Sequence, residues 1–296
     1  MEKLAVYTLE AGIGMTVLAL IAYVLYAISG VRAARLAAAG VPMSTGQVGY
    51  ISGPRTASIG TYATLLAWLA FALLGASLVF RTIATGHGPF SNMYEFSIAF
   101  AWGILGSYLW FERKYHQRIL GLLAIPAALA LLLYAVWFAG GSGIEPLVPA
   151  LQNNLLLSVH VATAIVAYGS FTIAFAAALL FLVQPESGRW GLPKPAILDE
   201  IGYRAIVVGF PFLTLTIVLG ALWADVAWGR PWGWDPKETA SLVTWFIYGA
   251  YLHARVMRGW RGRNAAILLL VGFGATLLTY FGNYFFGGLH SYGGLS

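Results

Sequence analysis

The densest group of residues able to do chemistry lies at residues 223–238, in the sequence WADVAWGRPWGWDPKE. This segment holds four of the chain's 11 tryptophans. A single tryptophan there would be interpreted most simply as an anchor at a membrane–water interface. Four of them, interleaved with glycine and proline, predict a folded aromatic platform, because glycine permits close approach and proline stiffens the path. Such a platform suits a large, flat, apolar ligand. Its expected members are Trp223, Trp228, Gly229, Trp232, Gly233 and Trp234.

The last four residues of that segment predict the start of a helix. Asp235 would be the N-cap, Pro236 the first helical residue and Glu238 the third, which is a near variant of the capping box. The Asp235 carboxylate could also hydrogen-bond a ligand, and the two roles do not exclude each other.

Three of the five histidines stand out as ligand candidates. His87 and His116 fall in polar turns and are interpreted as surface residues. His160 and His253 fall within apolar runs, where a histidine is either functional or a neutral hydrogen-bonding group between helices. Neutral imidazole is the usual axial ligand of haem iron. His160 and His290 can reach the level of the tryptophan segment and clamp one haem, whereas His253 is roughly 20 Å away along its helix.

Two haem positions therefore follow if all three histidines are ligands. The position at His253 has no second histidine in this chain, so its partner would come from another subunit or the iron would be five-coordinate. Arg255 and Arg258 follow His253 and could pair with haem propionates, but they serve equally well as positive anchors at a membrane surface.

The composition determines the kind of element that must position these residues. The chain of 296 residues is 59% hydrophobic and only 9% charged, against about 25% charged in soluble domains. This excludes a soluble globular enzyme, a nucleic-acid binder and a disordered protein. There is no cysteine, so any thiol must come from another molecule.

The apolar runs predict an all-α polytopic membrane protein with eight transmembrane helices, since about 20 apolar residues cross a bilayer. We read the chain as a single membrane domain over residues 1–296. The predicted spans are 6–29, 58–80, 93–111, 119–139, 154–182, 199–222, 239–257 and 264–286.

The distribution of positive charge predicts the orientation. Thirteen of the 17 lysines and arginines fall in the loops and helix ends of one side, which is therefore cytoplasmic. Both termini and the tryptophan segment at 223–238, between the sixth and seventh helices, would then face outward from the inner (cytoplasmic) membrane.

Five segments together resemble the cytochrome c biogenesis family of CcsA, also called ResC, within the larger haem-handling superfamily that includes CcmC and CcmF. The run WGRPWGWDPKE at 228–238 resembles the signature WWD motif, WGxxWxWDxxE. Further matches are LQNN at 151–154, YLHAR at 251–255, GLHSYG at 288–293 and SNMYE at 91–95. The length and the eight spans fit CcsA better than the smaller CcmC or the larger CcmF.

The resemblance implies a subunit of the system II cytochrome c synthase, a haem lyase that works with the membrane subunit CcsB (ResB). Haem b would enter at an inner site at His253, whose partner ligand lies on CcsB, and move to an outer site at His160 and His290. There its vinyl groups would react with the two thiols of a CxxCH motif in apocytochrome c. Thiol-reducing proteins and membrane lipid are further expected partners; nucleic acid is not.

The resemblance also divides the segment residues by role. The residues expected at the reaction are Trp228, Trp232, Trp234, Asp235 and Glu238. The residues expected to hold haem are Trp223, Gly229, Gly233, Pro236 and Lys237. Asp235, Lys237 and Glu238 are also the candidates for protonating a vinyl carbon.

Three other functions are compatible with parts of the sequence. A haem exporter or chaperone would bind haem but form no covalent product. A b-type electron-transfer cytochrome normally needs paired histidines at membrane depth, and this chain has one histidine at the inner level. A regulator without haem chemistry would have no need of the WWD motif together with three histidines.

Overall fold

The computed structural model describes residues 1–38, 54–139, 143, 147, 151–152, 154–185, 187, 191–282 and 285–290. Within these ranges the chain forms eight α-helices and one short 3₁₀ turn, Arg118–Leu120. The helices are α1 (Glu2–Ala38), α2 (Pro54–Thr85), α3 (Met93–Tyr115), α4 (Gly121–Phe138), α5 (Asn154–Leu182), α6 (Pro195–Trp228), α7 (Pro236–Met257) and α8 (Arg263–Phe281).

Each predicted span corresponds to one helix, and α5 has the predicted bounds at both ends. The α8 helix is shorter than predicted, because it ends at Phe281 rather than 286. The α1 and α6 helices are longer than predicted. An apolar run marks only the lipid-facing part of a helix, whereas backbone hydrogen bonding continues into the polar ends.

The tryptophan segment is therefore less of a loop than predicted. Residues 223–228 belong to the last turns of α6, and the segment from Pro236 onward belongs to α7. Only residues 229–235 connect the two helices. The α6 helix ends there because Gly229 adopts a left-handed conformation with φ of 71°, which glycine tolerates without steric cost.

Six of the helices are long and apolar enough to cross a membrane: α1, α2, α4, α5, α6 and α8. The chain is therefore a polytopic membrane protein. The other two predicted spans, α3 and α7, are less apolar, because serine, glycine, tyrosine and tryptophan interrupt their apolar residues. Most of α3 is buried by neighbouring helices, so protein rather than lipid surrounds it and its sequence need not be as apolar.

The α5 helix is the centre of the bundle. It packs against α3, α6 and α8, while α1 pairs with α2 and α7 packs on α6 and α8. Its buried face is rich in alanine, and such small residues let helix backbones approach closely. The buried alanines of this helix are Ala164, Ala167, Ala174, Ala176, Ala177 and Ala178.

Two ion pairs, one buried and one nearly so, join neighbouring helices. Arg81 on α2 pairs with Glu95 on α3 at 2.8 Å. Arg255 on α7 pairs with Asp199 on α6 at 2.6 Å. Paired in this way, the charges lose less by being removed from water than either would alone.

Candidate functional site

A cavity of about 1150 Å³, solvent at its mouth included, lies where α6 leads into α7. Helices α3 and α5 supply a mainly apolar wall, and α6, α7, α8 and the segment after α8 supply the rest. His160, His290, Trp223 and Trp232 all line it. The structure thus brings together the two histidines and the tryptophan segment, in the volume range of sites for large organic ligands.

His160 is held by the backbone of α6. Its Nδ1 lies 2.8 Å from the Thr216 carbonyl oxygen, which can only accept a hydrogen bond. Nδ1 therefore carries the proton, and Nε2 keeps its lone pair, as a metal ligand requires. A Cβ atom at Gly220 would lie 2.7 Å from the His160 ring, so glycine is needed there for the ring to pack against α6.

His290 is held by Asp235. Its Nδ1 donates to Asp235 Oδ1 at 2.8 Å. Burial lowers the pKa of His290 more than the nearby carboxylate raises it, so the ring is neutral near pH 7. Its proton then lies on Nδ1, toward the carboxylate. A carboxylate behind a histidine fixes the ring and makes Nε2 a stronger ligand.

Asp235 performs the predicted capping role as well. Its Oδ1 accepts from the Lys237 amide at 2.9 Å, its Oδ2 accepts from the Leu289 amide at 2.6 Å, and the capping box with Glu238 is complete. Burial raises the pKa of Asp235, but the hydrogen bonds from His290 and from the two amides outweigh it and hold the value at about 2. One carboxylate thus joins the start of α7 to His290.

The tryptophans divide into two pairs. Trp223 is buried, and its ring centroid lies 6.4 Å from that of His160 and 5.9 Å from that of His290. Trp228 packs edge-on against Trp223 at 4.7 Å and against His290 at 4.9 Å. These two rings therefore fix both histidines.

The second pair lies in the connection between α6 and α7. Trp232 lines the cavity, whereas Trp234 is 69% exposed, has φ of 55° and does not line it. The two rings pack at right angles, 5.7 Å apart. The Glu238 carboxylate holds this connection by accepting from the Gly233 and Asp235 amides, at 2.9 and 3.1 Å.

His253 lies elsewhere. It is exposed on α7, 18 residues after the N-cap, which is roughly 27 Å along the axis. The structure does not bring it to the cavity, in agreement with the predicted separation of two levels. Arg255 is engaged with Asp199 and Arg258 is exposed, so the Arg255 guanidinium serves to join α6 and α7.

Several lining residues were missed by the sequence analysis. Thr216 and Gly220 are ordinary members of an apolar span, and only packing reveals that they position His160. Phe96, Phe100 and Tyr280 form part of the wall, but aromatic residues in membrane helices carry no distinguishing signal. The SNMYE segment proves partly structural, because Asn92 caps α3 and Glu95 pairs with Arg81.

The two remaining histidines, His87 and His116, are partly or fully exposed, as their interpretation as surface residues predicts. His116 is exposed at the end of α3, and His87 is half-buried in a turn where its Nδ1 contacts the Gly88 carbonyl. Residues 153 and 291–293 of the matched segments lie outside the described residues.

Comparison with known proteins places this arrangement in a family. The profile of the cytochrome c assembly proteins matches residues 90–290, a range that contains α3 to α8 and the whole cavity. The cytochrome c biogenesis protein CcsA of Synechococcus elongatus is 36% identical over 289 residues, covering 80% of this chain and 87% of its own length. The CcsA proteins of Gloeobacter violaceus and Porphyra purpurea are 36% and 33% identical, and each comparison covers 82% of this chain. The chain therefore belongs to the cytochrome c assembly protein family, and within it to the CcsA proteins.

Proposed function

We propose that this chain is the haem-binding membrane subunit of a system II cytochrome c synthase. It presents haem b in the cavity, with His160 and His290 as axial ligands, to the CxxCH thiols of apocytochrome c. The observation that carries the proposal is that both histidines line one cavity with Nδ1 hydrogen-bonded to an acceptor. That arrangement leaves Nε2 unprotonated on both rings, as haem iron requires.

The reaction needs little acid–base catalysis from this chain. Each thiol adds across one vinyl group: the S–H bond and the vinyl π bond break, a C–S bond forms at one carbon, and the other carbon gains a proton in place of the one the thiol loses, with nothing released. Both thiols come from apocytochrome c, since this chain has no cysteine. The contribution of the cavity is to hold the macrocycle in a reactive orientation, and proximity and orientation can supply a large part of a rate enhancement.

The tryptophans contribute to this orientation in different ways. Trp223 and Trp228 support the two histidines, while Trp232 offers a ring at the cavity wall. Trp234 is exposed beside it and is available to the incoming polypeptide. Asp235 supports His290, and Glu238 supports the backbone of the connection. Glu238 also lines the cavity, and the predicted place of both residues at the reaction stays a proposal.

The second part of the proposal concerns the direction in which haem moves across the membrane. The cavity and both termini face outward, and the end of the bundle that carries His253 faces the cytoplasm. Haem binds first at His253, which is exposed on α7 in this chain and takes a second ligand from a CcsB-like subunit. It then passes to the cavity.

Absorption spectra of the purified chain, supplied with haem, test the proposal. Wild type should show haem with two nitrogen ligands. A His160→Ala/His290→Ala variant should lose the signal of the cavity site, and His253→Ala should alter a different part of the spectrum. The matched controls His87→Ala and His116→Ala, which remove histidines that do not line the cavity, should match wild type.

A wild-type chain that stays colourless alone and with its partner subunit would overturn the proposal. So would His160 and His290 variants with wild-type spectra. Covalent attachment is tested separately, by co-expression with the CcsB-like subunit and an apocytochrome carrying CxxCH. Normal haem binding without a thioether product would favour the exporter function instead.

A further inference from the structure

Lys237 brings a positive charge into the cavity that no other described residue neutralises by direct contact. It belongs to the first turn of α7, and its side chain lines the cavity together with His160 and His290. In the part of the chain that the structure describes, its ammonium group makes no hydrogen bond or ion pair. It does contact the face of Phe96, with Nζ 5.9 Å from the ring centroid.

The two carboxylates near Lys237 are already committed. Asp235 accepts hydrogen bonds from His290 and from the Lys237 and Leu289 amides. Glu238 accepts from the two amides of the connection. Among the cavity residues that the structure describes, Lys237 is the one lysine or arginine.

A cation in a largely apolar wall is costly unless an anion pairs with it. The positive end of the α7 dipole adds to the preference for an anion at this point. Haem is an apolar macrocycle with two propionate carboxylates on one edge, and its vinyl groups lie away from that edge.

We propose that Lys237 binds a propionate of haem and so determines which way round the macrocycle enters the cavity. The inference rests on the proposed function, because it takes haem as the ligand. Pairing the propionate edge with Lys237 leaves the vinyl-bearing edge away from it, where the thiols can reach. Lys237 is then a binding and orienting residue, and the histidines remain the iron ligands.

A comparison of two ligands isolates this interaction. Ferric haem and its dimethyl ester share the iron and the vinyl groups, but the ester has no anionic propionate. Each is titrated into the full-length chain in detergent, as wild type and as Lys237→Met, Lys237→Arg and Lys194→Met. Lys194 is the matched control, because it is an exposed lysine just before α6 that does not line the cavity.

Wild type is expected to bind haem about tenfold more tightly than the ester, as a single charge-assisted contact provides. Lys237→Met should weaken haem binding by the same factor, leave binding of the ester unchanged and preserve the absorption spectrum. Lys237→Arg should restore the preference, and Lys194→Met should behave as wild type.

Two results would overturn the inference alone. They are equal affinity of wild type for both ligands, and a Lys237→Met variant that loses both ligands equally, as a merely structural lysine would. Failure of wild type to bind either ligand would be a failure of the proposed function itself, and this inference would fall with it.

Discussion

At the scale of single residues, the site depends on what lies behind each histidine. His160 is oriented by a backbone carbonyl and His290 by a carboxylate, so the two rings have the same tautomer through different partners. The carboxylate is the stronger support, because it also polarises the ring. The two histidines should therefore respond differently to changes in their surroundings.

Replacing Asp235 by asparagine should weaken haem binding by about 10- to 100-fold, the usual effect of losing such a support. Asparagine is also a good N-cap, so α7 should stay intact and thermal stability should change little. Haem titration and a melting curve measure the two effects. Asp225→Asn, at an exposed acidic residue on α6, is the control and should bind haem as wild type does. Wild-type affinity in Asp235→Asn would contradict this role.

Gly220→Ala should displace the His160 ring, because the new Cβ would lie 2.7 Å from it. We expect loss of the two-nitrogen haem spectrum with the protein still folded, as judged by size-exclusion chromatography and circular dichroism. Gly274→Ala is the matched control, since a Cβ at that position on α8 meets no atom within 4 Å. An unchanged spectrum in Gly220→Ala would show that His160 does not need this close approach.

At the scale of elements, the position of α7 matters most, since it carries Asp235 at its start and His253 near its end. Its first turn is tied to the segment after α8 through Asp235. Its last turn is tied to α6 through the pair of Arg255 and Asp199. The helix is thus fixed at both ends.

Breaking the ion pair between Arg255 and Asp199 should lower the stability of the helical bundle. Arg255→Met leaves the Asp199 carboxylate, which is 13% exposed, with the Gly262 amide as its one hydrogen-bond donor among the described residues. We expect this loss to cost about 1–3 kcal/mol. We expect a clear fall in the melting temperature in detergent. The control is Arg204→Met, which removes an exposed pair with Glu200, 53% and 45% exposed, and should cost less than about 1 kcal/mol. Equal effects of the two changes would contradict the structural role of Arg255.

At the scale of the whole molecule, the two ends of the helical bundle differ, and an apolar outer surface lies between them. Large apolar side chains are exposed along α1, α2, α6 and α8, which suits a lipid environment. The cavity lies at one end. Many of the positively charged side chains lie at the other, and this asymmetry predicts the orientation.

The absence of cysteine allows a direct test of orientation, because any introduced thiol is unique in the chain. Arg230→Cys, next to the cavity, should react with a membrane-impermeant maleimide in intact cells. Lys114→Cys, at the end of α3, should react only after the membrane is permeabilised. Both residues are exposed, so access to reagent should depend on sidedness alone. The reverse labelling pattern would refute the orientation.

The class of protein, the helices and the two histidines that line the cavity were predictable from the sequence, whereas the contacts of Thr216 and Gly220 with His160 were not. Low charge and long apolar runs leave only a helical membrane protein, because lipid offers no partner for an unpaired backbone group. The capping box at Asp235 was also predictable, since it depends on residues three positions apart.

The packing of the helices establishes how these residues cooperate. It placed Asp235 behind His290, 55 positions along the chain, and Thr216 behind His160, 56 positions along. It also left Trp234 outside the cavity lining and paired Arg255 with Asp199. The connection between α6 and α7 proved to be seven residues long, 229–235. The reason is physical: local sequence fixes backbone hydrogen bonds and caps, whereas contacts between distant side chains follow from how helices pack, and no local pattern encodes that packing.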